Sequence, residues 1–85
     1  MEKRHENLLT ARLERVVNAS VAHVLWEELY SWYGVKKIAA GTWRDLSQRW
    51  DELTSGDKGS LMKIEGSGGL FLTAEKEITP IYKQE

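Results

Sequence analysis

At 85 residues the chain has room for one small domain, and a domain of this size buries only about 60% of the surface its unfolded chain exposes, so each large apolar side chain counts. Hydrophobic residues make up 41% of it, with four Trp, three Tyr and one Phe, which argues against disorder, while twelve Lys and Arg against thirteen Asp and Glu exclude a protein that coats nucleic acid by charge alone. With no cysteine there is no disulfide framework, thiolate metal site or thiol nucleophile, and a cytoplasmic location is expected.

Met1 to Glu6 is too polar for a signal peptide, and no apolar run approaches the roughly eighteen residues of a membrane span. A membrane is therefore not an expected partner. The chain contains no Pro and no Gly before Gly34, so its first part reads as helix. Leu9, Leu13, Val16 and Val17 recur at helical spacing, predicting a helix over about 4–18. Ser20 is a candidate N-cap for a second helix over about 20–33, and one continuous helix over 4–33 fits the same pattern.

Read as a helix, 20–33 has two apolar faces, one with Val21, Leu25, Leu29 and Trp32, the other with Ala22, Trp26, Tyr30 and Tyr33. Such a helix is either central in the fold or shared with a partner. Gly34 offers its C-terminal stop, and a connection carrying Lys36 and Lys37 runs to Gly41. Thr42 followed by Asp45 forms a variant capping box, predicting a third helix over about 42–53. Its dry face holds Trp43, Leu46, Trp50 and Leu53; its wet face holds Arg44, Ser47, Gln48, Arg49 and Glu52. The period then changes. Leu61–Ile64 and Leu70–Thr73, separated by the glycine-rich stretch from Glu65 to Gly69, predict a β-hairpin over 60–73 with a flexible tip. A short helical turn over 74–78 and a tail over 79–85 follow.

Three helices followed by a glycine-tipped hairpin resemble the winged helix-turn-helix superfamily over roughly residues 8–78. The residues that carry the resemblance are Leu29 to Val35, Gly41 to Leu46, and Gly69 to Thr73. The fold class it implies is mainly α with a small hairpin, the two strands forming a wing. One departure is the connection from Gly34 to Gly41, longer than the usual three- or four-residue turn. The implied function is sequence-specific binding of duplex DNA by a small transcriptional or replication regulator, with the third helix in the major groove.

The wet face suits that chemistry. Arg pairs bidentately with guanine, Gln with adenine, and Ser or Thr bonds a base edge or a phosphate, so Thr42, Arg44, Ser47 and Gln48 are the candidate base readers. Lys36, Lys37, Arg49 and Lys63 are candidate phosphate contacts, and Ser67 and Gly68 place the hairpin tip against the backbone or minor groove. Residues 34–64 carry six basic and four acidic side chains, against four and five in residues 1–33, so the candidate half is the more positive one. The alternative is a solvated helix face with no ligand.

So few phosphate contacts suggest a homodimer that doubles them. The apolar stripes of the first two helices are its candidate surface, unless they pack on each other within one chain. A second function class is a protein-interaction module, an adaptor or a phage-type inhibitor docking a larger protein through the aromatic helix 20–33. Catalysis is not expected. His5 and His23 are isolated, the pairs Glu27-Glu28 and Asp51-Glu52 point along different helix faces, and Gly66–Gly69 lacks the ending of a phosphate loop. No metal and no small-molecule cofactor is expected.

Overall fold

The computed structural model describes residues 1–82. In chain order it contains α1 (Lys3–Ala19), β1 (Val21–Leu25), α2 (Trp26–Tyr33), α3 (Ala40–Thr54), β2 (Leu61–Glu65), β3 (Gly69–Ala74) and a 3₁₀ turn over Glu75–Glu77. The strands form one antiparallel sheet in the order β1-β3-β2. The molecule is thus mixed α/β, with three helices and three strands, and the expected two-stranded wing is part of a wider sheet.

α1 forms as its spacing predicts and buries Leu9, Leu13 and Val16. It stops at Ser20, whose backbone is left-handed (φ 70°) and whose N–H donates to the Val16 carbonyl at 2.9 Å. Ser20 therefore ends the first helix and does not begin a second. This excludes a continuous helix over 4–33, and the expected helix over 20–33 proves to be two elements. Val21–Leu25 is extended, with Ala22 and Val24 buried and Val21, His23 and Leu25 facing out. That alternation has a period of two, and the β-branched Val21 and Val24 favour it.

α2 then starts at Trp26. The Glu28 carboxylate accepts the Leu25 N–H at 3.0 Å, one half of a capping box. Gly34 ends the helix in the left-handed conformation, as expected (φ 62°). The two apolar faces read into 20–33 arose from applying a helical period to a strand. Those of its apolar side chains that are buried, Ala22, Val24, Leu29 and Trp32, join Leu9, Leu13 and Val16 in one core, so the stripes considered as a dimer surface lie largely inside the chain.

α3 begins at Ala40, with an extended Ala39 before it and no side-chain cap. Thr42 lies inside the first turn and is buried, which corrects its assignment as the cap. Leu46 and Trp50 are buried as the expected dry face requires, but Thr42 joins them, Trp43 is only partly buried and Leu53 is exposed. Trp50 is fully buried and donates its indole N–H to the Gly59 carbonyl at 3.0 Å. Burial of such side chains contributes about 1.5–3 kcal/mol each.

The hairpin over 60–73 is present as β2 and β3, closed by a Gly66 N–H to Gly69 carbonyl bond of 2.8 Å. β3 occupies the centre of the sheet, pairing Val21 with Thr73 on one side and Met62 with the same Thr73 on the other. Its Leu70, Leu72 and Ala74 face the helices and are buried. The 3₁₀ turn matches the expected short helical turn. Ile78 to Tyr82 are exposed, and the expected tail extends beyond the described residues.

Candidate nucleic-acid interface

The solvent face of α3 is set by its buried face. With Thr42, Leu46 and Trp50 turned inward, Arg44, Ser47 and Gln48 stand together on the opposite side of the first turns, all exposed. Among the described residues no carboxylate pairs with Arg44. Gln48 lies 3.4 Å from Glu52 at i+4. Asp51 and Glu52 are exposed further along the helix, so its N-terminal half is the cationic end of this face.

Two of the expected contacts are less accessible than their neighbours. Thr42 is turned inward, with 8% of its surface exposed. Arg49 folds back on its own helix, its Nε donating to Asp45 Oδ2 at 2.7 Å, while the Tyr33 hydroxyl donates to the same oxygen at 2.7 Å. Burial works against the Asp45 carboxylate, yet the bonds from Arg49 and Tyr33 outweigh it and hold its pKa below the usual value. Burial and the adjacent carboxylate push the Tyr33 phenol well up. This trio ties α2 to α3, and Arg49 belongs to it.

Lys63 faces the helices. Its ammonium sits 4.7 Å from the centre of the Trp43 ring and pairs with Glu65, so its charge is already partly compensated. Lys36 and Lys37 are exposed in the connection between α2 and α3. Lys37 and Ser67 line one surface notch with Trp26, Tyr30, Ile38, Trp43 and Glu65. Ser67 and Gly68 are exposed at the tip, but the tip is anchored. The Trp26 indole N–H donates to the Gly66 carbonyl at 2.8 Å, and the Trp26 backbone N–H approaches the Gly68 carbonyl at 3.4 Å. The expected flexible tip is thus bonded to the start of α2.

The sequence sets Trp26 and Trp43 on apolar helix faces, and in the structure they pack against the edge of the core. Both are only partly buried, and they meet edge to face at 6.4 Å between ring centres, joining α2, α3 and the hairpin. Nothing local announces this, because Gly66 lies forty residues from Trp26. The Arg12–Glu28 pair was also missed. Arg12 donates to both Glu28 oxygens at 3.0 and 2.7 Å and to the His23 carbonyl at 2.9 Å, and lies over the Trp32 ring. Among the described residues no three His, Asp or Glu side chains gather where a metal could sit, and no helix is long and apolar enough to cross a membrane.

Comparison of the chain with protein-family models, with curated proteins and with solved structures gives no match in any of the three. The functional reading therefore rests on the geometry alone.

Proposed function

We propose that this is a winged helix-turn-helix protein that binds duplex DNA, with the exposed face of α3 in the major groove and the β2–β3 hairpin as its wing. The observation that carries the reading is the exposure of Arg44, Ser47 and Gln48 on one side of the first turns of α3. These are the residue types that recognise base edges, at the end of the helix that helix-turn-helix proteins present to the groove. Lys36 and Lys37 flank that end, and the anchored tip brings Ser67 beside Lys37. Lys63, compensated by Glu65, contributes less than its formal charge.

The test is a mobility-shift selection on random duplexes. Arg44→Ala or Gln48→Ala is expected to relax preference at individual base positions, by about 1–3 kcal/mol for each bidentate pairing removed. Replacing Lys36 and Lys37 with Ala is expected to weaken all sequences alike and to reduce the salt-dependence slope by about 1 for each phosphate no longer neutralised. A wild type with no preference for any duplex at low salt defeats the proposal.

A second reading is favoured by Asp51 and Glu52, which place two carboxylates on the exposed side of α3 and would repel a phosphate backbone. In that reading the chain docks a larger protein through α2 and the aromatic notch beside it. Tyr30 is exposed there, and Tyr30→Ala would abolish capture without loss of fold.

A further inference from the structure

The helices pack on one face of the sheet, and among the described residues nothing covers the other face. On it the three strands set side chains in rows. Ile64, Phe71 and His23 lie opposite one another, Met62, Thr73 and Val21 form the next row, and Leu25 faces Gly69 at the hairpin end. Ile64 is 64% exposed and Phe71 47%, with Val21, Leu25 and Met62 also exposed and the His23 ring 4.7 Å from that of Phe71. An antiparallel sheet with one wet face ordinarily alternates polar residues outward. Here five of the outward side chains are large and apolar, and none is Lys, Arg, Asp or Glu.

We propose that this face is a two-fold interface between two copies of the chain. Area and charge identify the occupant. The exposed surface of these residues is on the order of 500 Å² per copy, so pairing two faces buries at most about 1,000 Å² in total, the size at which a specific interface begins. The two-fold arrangement sets this patch against itself, and because the patch holds no Lys, Arg, Asp or Glu, that juxtaposition opposes no such like-charged pair. The net charge of −1 likewise gives little repulsion between copies. Two sheets stack about 10 Å apart with their side chains interleaved, and Phe71 on the central strand stands at the middle of each face. The interface leaves the exposed side of α3 free, so the inference is independent of what α3 binds.

The test is sedimentation equilibrium of the full chain without DNA, from micromolar to about millimolar concentration. The wild type is expected to approach twice the 9.8 kDa of one copy. Ile64→Glu and Phe71→Glu are each expected to weaken association more than about tenfold, with circular dichroism confirming the fold. Mixing Phe71→Glu with Phe71→Lys is expected to restore a dimer containing one of each. Tyr30→Ala, on α2 and away from this face, is expected to leave the mass unchanged. A wild type that stays monomeric throughout the range overturns the proposal, including the case in which residues 78–82 of the same chain fold over the face and protect Phe71. So does a folded Ile64→Glu protein that keeps the wild-type mass.

Discussion

Arg12 holds more of this molecule together than any other charged side chain described, because one guanidinium serves α1, β1 and α2 at once. The hydrogen bond from Arg12 lowers the Glu28 pKa, against the opposing effect of burial and with help from the Leu25 N–H. A carboxyl whose folded pKa lies below its unfolded value contributes stability in full above the unfolded range and loses it as pH falls through the folded value. Glu28→Gln is therefore expected to cost about 1–2 kcal/mol near neutrality, since a charge-assisted, partly buried pair exceeds a fully exposed one. At an acidic pH below the lowered folded value the deficit should shrink, because the wild type is then protonated too. Urea midpoints at the two pH values measure this, and an equal deficit at both would place the loss elsewhere. At the residue scale the sequence disclosed Arg44, Ser47 and Gln48 correctly as a wet face. It did not disclose Thr42 and Arg49, because burial and pairing depend on neighbours such as Tyr33, sixteen positions before Arg49.

The elements were legible where their signals were local. The hairpin announced itself through two short strand-like runs and the glycines between them, and α1 through its stripe. β1 was not legible, because four of its five residues are apolar and its pairing partner, β3, lies about fifty residues away. The start of α3 was hidden for a related reason: Ala39 carries no capping side chain, so nothing in the local sequence marks it. Gly69 gives this scale its prediction. A Cβ there would collide with the Val24 carbonyl oxygen and come within 3.0 Å of the Leu25 Cα, so Gly69→Ala must part β1 from β3. The expected cost is about 1–3 kcal/mol. Hydrogen exchange should quicken in Val24 and Leu25 more than in α1, and an unchanged melting temperature would refute the close approach.

For the whole molecule the decisive feature is that the sheet is closed from its middle by its last strand. Leu70, Leu72 and Ala74 bridge β1 to β2 and supply part of the surface on which α1 packs. A chain stopped after residue 68 would keep every helix and lose the centre of the sheet. It is expected to show no cooperative unfolding transition by circular dichroism, and a sharp transition would show the helices to be self-sufficient. The same placement shapes how the protein is born. At roughly 5–20 residues per second, α1 to α3 are synthesised about a second or more before the strand that completes their core, so their apolar sides lack their partner in the meantime. Closure of the core is thereby deferred until β3 is available, and a chain whose synthesis stops before Gly69 is left open to proteases instead of forming a half-working domain.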